Sequence, residues 1–188
     1  EFYHYSSPLF MFTFTALLMG LFDRWMVQFF YGSTEQGFYT LSYQMSQICL
    51  IFTSSFTPLL WREFSVASGV QDMQTMRKLF RRYIPLFYAI TAYFACFVAV
   101  QAQTVIYIFG GHNFSQAYII LMIMALYPIH QTYGQLSGVL FLATGQTKIY
   151  RNIGITSMTT GIILTYFFVA PRHLFGLHLG GLGLALKL

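Results

Sequence analysis

Polar side chains that could bind a hydrophilic solute recur inside long apolar stretches of this 188-residue chain. The densest group lies between residues 127 and 135. On a helix one face would carry Tyr127, Gln131 and Gln135, with His130 alongside. Pro128 removes a backbone hydrogen bond there and frees a carbonyl one turn earlier. Because broken helices at mid-membrane often hold substrate or ion sites, this segment is predicted to line a cavity. For His130 itself, a hydrogen-bonded packing role is the alternative.

A charged pair, Asp23-Arg24, stands inside the first apolar stretch. Ionisable groups at membrane depth are costly and usually face the bundle interior or a water-filled cavity. Consecutive helical residues point about 100° apart, so these two charges cannot simply neutralise each other. One is expected to point inward together with Gln28, while the other pairs elsewhere. Alternatively the pair is interfacial, with Arg24 extending to the head groups beside the aromatic residues that follow.

A polar stripe marks the second apolar stretch as well. Its members are Thr40, Gln44, Gln47, Ser54 and Pro58. Such a stripe can line a hydrophilic cavity, or it can hold helices together through interhelical hydrogen bonds. We expect the cavity role for Gln44 and Gln47 and the packing role for Ser54.

Membrane-spanning helices must position these side chains. The chain is 56% hydrophobic and only 8% charged, whereas soluble domains carry about 25% charged residues. A helix of about 20 apolar residues spans the hydrocarbon layer. The predicted spans are residues 8–31, 38–60, 83–109, 117–143 and 153–170, with a partial, glycine-rich sixth at 177–188 that is either a short helix or a re-entrant turn. The predicted fold class is therefore all-α, a polytopic transmembrane helix bundle forming a single domain.

Basic residues are concentrated in alternate gaps between these spans. One gap holds Arg62, Arg77, Lys78, Arg81 and Arg82, and another holds Lys148 and Arg151. Because Lys and Arg are enriched in cytoplasmic loops, both gaps and the amino terminus are predicted to be cytoplasmic. Residues 61–82 are predicted to form a cytoplasmic amphipathic segment. It either lies on an anionic membrane surface or, as the general pattern favours, begins the third span.

Catalytic and metal-binding patterns are absent from the sequence. The carboxylates Asp23, Glu35, Glu63 and Asp72 stand in different loops or at different depths, so no catalytic pair is evident. Zinc-binding spacings, phosphate-binding loops and nucleophile elbows do not occur. We therefore predict a protein that is not an enzyme, with no catalytic residue, metal or cofactor. Topology explains the basic cluster, so nucleic acid is not a predicted partner.

Several short motifs stand in a distinctive order along nearly the whole chain. They are Asp23-Arg24 late in a span, Gly37-Phe-Tyr-Thr-Leu-Ser-Tyr43 opening the next, Pro58 near its inner end, Ala143-Thr-Gly-Gln-Thr147 before a span, and the glycine-rich residues 176–185. This order resembles that of the bacterial oligosaccharide flippases of polysaccharide biosynthesis, whose superfamily also contains multidrug exporters and the lipid II flippase.

The resemblance implies one carboxy-terminal lobe of a two-lobed transporter in the bacterial inner membrane. It implies as partners a lipid-linked oligosaccharide, usually on undecaprenyl pyrophosphate, together with membrane lipid and an amino-terminal lobe of the same protein. By that likeness Arg24 would contribute positive charge toward the anionic head group. The side chains that would hydrogen-bond to sugar hydroxyls are Gln44, Gln47, Gln131 and Gln135.

Three other functions remain open at this point. A drug or cation antiporter of the same superfamily would need a titratable carboxylate in the cavity, and Asp23 is the candidate. A membrane polymerase or glycosyltransferase of lipid-linked sugars would need acidic or His-Arg clusters in a loop, which the sequence lacks. A scaffold subunit without transport activity is the third alternative.

Overall fold

The computed structural model describes residues 2–187, and almost all of them are helical. The helices are α1 (Phe2–Gln47), a 3₁₀ turn (Ile48–Leu50), α2 (Ile51–Gly69), α3 (Met73–Val100), α4 (Ala102–Gly110), α5 (Ala117–Met124), α6 (Tyr127–Ala143), α7 (Thr147–Val169) and α8 (Gly180–Lys187). No strand occurs among these residues, which confirms the all-α prediction. Three helical stretches, Tyr5–Gly69, Met73–Val100 and Thr147–Val169, are long and apolar enough to cross a membrane. Leu188, the last residue of the predicted partial span, lies outside the described residues.

Gly32 divides α1 into a first arm, residues 2–31, and a second arm, residues 33–47. Its φ of 85° and ψ of 177° lie outside the helical region, in a conformation that glycine adopts readily because it has no Cβ. The first arm runs parallel to α7, α7 turns back from α6, and α6 runs parallel to α2. The chain therefore reverses at Gly32, and the predicted gap at residues 32–37 shrinks to a one-residue break.

The first arm packs against α7 in a parallel register. A Cβ atom at Gly154 would overlap the ring of Phe12, and one at Gly161 would lie 2.9 Å from Met19 Cε. The same number of residues separates Phe12 from Gly154 and Met19 from Gly161, so the two helices run parallel. Small residues on the facing side of α7 let the backbones approach closely.

After α7 the chain turns back into the bundle and forms α8. The amides of Leu177 and Leu179 donate to the carbonyls of Phe167 and Phe168 at 2.8 and 2.9 Å. These bonds satisfy carbonyls at the end of α7 that have no partner within their own helix. Glu35 Oε1 then accepts a 3.2 Å hydrogen bond from the Gly181 amide in the first turn of α8. The glycine-rich segment is thus both a turn and a short returning helix.

Three fully buried threonines join α2, α3 and α6. Thr91 Oγ1 lies 3.1 Å from Thr53 Oγ1 and 3.1 Å from Thr132 Oγ1. Thr132 also donates to the carbonyl of Pro128 at 2.9 Å. The cluster therefore links three helices through side chains that would otherwise be unsatisfied in an apolar interior.

The predicted amphipathic segment, residues 61–82, does not form a separate surface helix. Helix α2 continues to Gly69, a short turn follows, and α3 begins at Met73. Met76 is buried in a core with Leu60, Phe64 and Leu136. Met76 therefore packs inside the bundle, while Met73 at the start of α3 is exposed. The position of this segment relative to the membrane stays a prediction.

We predict that replacing Thr91 with Val will destabilise the protein by about 1 kcal/mol, because two buried hydroxyls lose a shared partner. Thermal unfolding in detergent micelles would measure the change. The matched control is Thr159→Val, since the exposed Thr159 hydroxyl bonds only to the Ile155 carbonyl of its own helix at 2.8 Å. Equal unfolding temperatures for the two variants would contradict a role for the cluster.

A second prediction concerns the start of α3, where Asp72 caps the helix. Its Oδ1 accepts from the Thr75 amide at 2.9 Å and its Oδ2 accepts from the Thr75 hydroxyl at 2.6 Å. These bonds favour the charged form and hold the pKa of Asp72 below its ordinary value. The cap should therefore be fully present above the unfolded-state pKa and be lost as pH falls through the lowered one. Amide exchange at Thr75, expressed as a protection factor, should show this loss, while Asp72→Asn should keep a cap that is independent of pH.

Candidate functional site

A cavity of about 900 Å³ separates α6 from the first arm and α7. Three residues predicted to line a cavity, Tyr127, His130 and Gln131, do form part of its wall. The opposite wall includes Ser157 and Thr160 on α7. Tyr127, His130 and Gln131 lie in the first turns of α6, directly after the break between α5 and α6. Pro128 stands at the start of α6. The cavity therefore has polar groups on two sides, set among mostly apolar lining residues.

The cavity exists because the helices share a core at one end only. One buried cluster joins the first arm, the second arm, α4, α5, α7 and α8, and includes Met26, Tyr39, Ile106, Leu121 and Leu184. The second buried cluster joins only α2, α3 and α6. At that second end the first arm and α7 share no buried core with α6, although the Tyr5 hydroxyl donates to the Leu142 carbonyl at 3.4 Å and Tyr150 lies against Gly138. The cavity extends to this end, where Phe80 and Tyr150 line it beside the basic residues of the predicted cytoplasmic gaps.

A buried ionic cluster stands at the wall of the cavity. Lys187 Nζ lies 2.6 Å from Asp23 Oδ2 and 2.9 Å from Thr165 Oγ1. Thr165 in turn donates to Asp23 Oδ1 at 2.6 Å. Only 2% of the Lys187 side chain and 8% of the Asp23 side chain are exposed. The ion pair thus joins α8, α7 and the first arm, and it neutralises both charges away from water.

The other residues predicted to line a cavity lie elsewhere in the structure. Arg24, Gln28 and Gln44 are exposed on the surface of the helix bundle, and Gln47 is half-buried. Gln135 is on another side of α6, where its Nε2 donates to Ser54 Oγ at 3.3 Å. That bond gives Ser54 the interhelical packing role expected from the sequence. The structure therefore brings together Tyr127, His130 and Gln131 at the cavity. Asp23 does not line the cavity and is buried against Lys187.

Sequence reasoning missed the partners of Asp23. Lys187 is a single basic residue in an otherwise apolar run, Leu184-Ala-Leu-Lys-Leu188, and that isolation was a usable signal. Thr165 carries no comparable signal, because threonines are common in the seventh helix. Ser137, whose buried hydroxyl has no hydrogen-bond partner among the described residues, also lines the cavity. Within the same residues, no group of three His, Cys, Asp or Glu side chains could hold a metal ion.

Comparison with known proteins identifies the family. The family model described as "Polysaccharide biosynthesis protein" matches residues 1–119. The chain belongs to this family. It is accordingly a membrane protein with a role in polysaccharide biosynthesis and export, and its family is of the transporter type. No curated protein and no solved structure matches the chain. Helices α6, α7 and α8 lie beyond the matched residues, so the evidence for this wall of the cavity is structural.

The ionic cluster leads to a third prediction. Replacing Lys187 with Met leaves the Asp23 charge buried without its partner, and this should cost roughly 3–5 kcal/mol of stability. The double variant Asp23→Asn with Lys187→Met removes both charges and should recover most of the loss. Unfolding in detergent micelles would compare them, with Lys148→Met as an exposed control of the same charge change. Equal stability of all the variants would show that the ion pair contributes little.

Proposed function

We propose that this protein carries a lipid-linked oligosaccharide across the bacterial inner membrane by alternating access, for the synthesis of surface polysaccharides. The carrier lipid would be undecaprenyl pyrophosphate, as the family resemblance implies. The observation that supports this most directly is a cavity whose mostly apolar wall carries Gln131, Ser157 and Thr160, inside a helix bundle of a polysaccharide-biosynthesis family. The proposal includes an amino-terminal lobe of the same protein as the other side of the pathway.

The physical task of such a protein is to lower a desolvation barrier. Sugar hydroxyls and phosphates are expensive to transfer into hydrocarbon without hydrogen bonds. A cavity of about 900 Å³ lies within the range of roughly 300–1,000 Å³ that is usual for ligand pockets. Gln131, Ser157 and Thr160 would bond to hydroxyls and water, and the rings of Tyr127 and Tyr150 would lie against sugar faces. The prenyl tail would stay in lipid.

The packing of the helices also supports loading from the cytoplasmic leaflet. The closed core lies at one end, and the cavity extends toward the other end, where it is lined by Phe80 and Tyr150, the chain neighbours of Arg81 and Arg151. If the basic end is cytoplasmic, as the positive-inside rule predicts, this conformation accepts substrate from inside. Release outside would then need the opposite arrangement, with the core opened and the basic end closed.

The antiporter alternative is disfavoured by one contact. It needs Asp23 as a carboxylate in the cavity, but Asp23 is not among the residues that line the cavity and lies 2.6 Å from Lys187 Nζ. An enzyme would need reactive side chains that converge, and the described cavity wall brings together aromatic rings, hydroxyls and one amide around one buried cation. Transport of a polar, uncharged oligosaccharide portion fits these groups better.

We predict that filling the cavity blocks transport. Gly134 lines it, and a Cβ at Gly134 would meet no atom within 4 Å. Gly134→Phe should therefore fold normally and lower the rate of leaflet exchange by about tenfold or more, equivalent to a barrier increase of roughly 1.4 kcal/mol or greater. The assay is full-length protein in vesicles with a fluorescent lipid-linked oligosaccharide, whose outer-leaflet fraction is read with an impermeant quencher.

The matched control is Gly69→Phe, because a Cβ at Gly69 also meets open space, at the end of α2 and away from the cavity. Its exchange rate should equal that of the unmodified protein. Unchanged exchange in Gly134→Phe, with the ring confirmed inside the cavity by structure determination, would exclude this cavity as the pathway.

A further inference from the structure

Lys187 lies at the cavity wall and can donate a further hydrogen bond. An ammonium group carries three N–H donors. Two of them point to Asp23 and Thr165, and the third has no acceptor in the part of the chain that the structure describes. The side chain is one of the residues that line the cavity, although only 2% of its surface is exposed. A small shift of this flexible side chain would therefore bring a positive charge into the cavity.

The surroundings of Lys187 favour an anion as that further partner. Among the described residues that line the cavity, none is an Asp or a Glu, and Lys187 is the only Lys or Arg. The remaining polar lining consists of tyrosines, hydroxyls, an amide and His130. An anion entering the cavity would meet no carboxylate except Asp23, which lies behind the lysine. Arg24, to which the family resemblance assigned this role, is exposed on the outside of the first arm.

We propose that Lys187 is the anion-binding residue of this cavity, that its ligand is a phosphate or pyrophosphate group, and that Asp23 is the counter-ion that holds it when the cavity is empty. The proposal rests on the proposed function, because it names the residue that would meet the anionic head group during translocation. The resting ion pair holds the lysine at the cavity wall without exposing a free charge to lipid.

The geometry allows an exchange of partners without leaving Asp23 unsupported. The Thr165 hydroxyl donates to Asp23 Oδ1 at 2.6 Å and can alternatively donate to the Gly161 carbonyl at 3.0 Å. When Lys187 turns to a phosphate, Asp23 keeps the Thr165 hydrogen bond, and the three charges remain close together. Because a pyrophosphate accepts several charge-assisted hydrogen bonds, it can compete with a single carboxylate for the ammonium.

The test measures binding of three probes to full-length protein in nanodiscs. The probes are inorganic pyrophosphate, farnesyl pyrophosphate and farnesol, which separate a free anion, a lipid head group and a prenyl tail. The variants are Asp23→Asn, which leaves Lys187 without its carboxylate partner, and the double variant Asp23→Asn with Lys187→Met, which removes both buried charges. Lys148→Met is the control, because it removes the same charge from an exposed position on α7 outside the cavity.

We expect the double variant to lose affinity for farnesyl pyrophosphate by about tenfold or more, as one charge-assisted partner is removed. Asp23→Asn should bind it severalfold more tightly, since the competing carboxylate is gone. Farnesol binding should be the same in every variant, and Lys148→Met should behave like the unmodified protein. Lysine-dependent binding of inorganic pyrophosphate as well would extend the site to free anions and would also support the proposal.

Two results would overturn it. In the first, the double variant binds farnesyl pyrophosphate as tightly as the unmodified protein. In the second, Asp23→Asn loses as much affinity as the double variant, which would make the cluster a purely structural contact. Leaflet exchange of the oligosaccharide lipid, measured in parallel, keeps the two ideas separate. Exchange with no lysine-dependent binding refutes only the anion site, whereas lysine-dependent binding without exchange refutes only the proposed function.

Discussion

Charged groups and backbone groups buried in an apolar helix bundle need partners inside the protein, and much of the structure depends on meeting that requirement. Asp23 meets it with Lys187 and Thr165. The carbonyls at the end of α7 meet it with the amides of residues 177–179. Both solutions depend on α8 returning into the bundle. The short last helix therefore supplies a charge to the first arm and, through the turn before it, completes the hydrogen bonding of α7.

The same requirement explains where the bundle is closed and where it is open. At one end the cluster around Met26, Leu121 and Leu184 packs nearly every helix into one core. Toward the other end α2, α3 and α6 share a separate buried core, and the threonine cluster around Thr91 joins the same three helices. The two helix groups can differ in tilt without breaking either core, because each is internally satisfied. A transporter that alternates between two openings needs this kind of division into rigid groups.

Breaks in the helices place the polar side chains. The break before α6 ends a buried apolar helix and directs Tyr127, His130 and Gln131 into the cavity, while Gln135, further along α6, bonds to α2. The break at Gly32 lets one long apolar stretch form two antiparallel arms. In each case a residue with unusual backbone chemistry, proline or glycine, accompanies the break.

Hydropathy by itself determined that the chain is an all-α membrane bundle, because apolar length and the lack of charge leave few other folds in lipid. The spacing within residues 127–135 also predicted a shared face for Tyr127 and Gln131, since helical periodicity is local. Only the tertiary structure decided that Asp23 pairs with Lys187, 164 residues away, that Arg24 and Gln44 are exposed, and that Gln135 bonds to Ser54. The physical reason is that lipid-facing and core-facing apolar surfaces look alike in sequence. The pattern therefore fixes which residues form helices, but not which helices become neighbours or which faces meet.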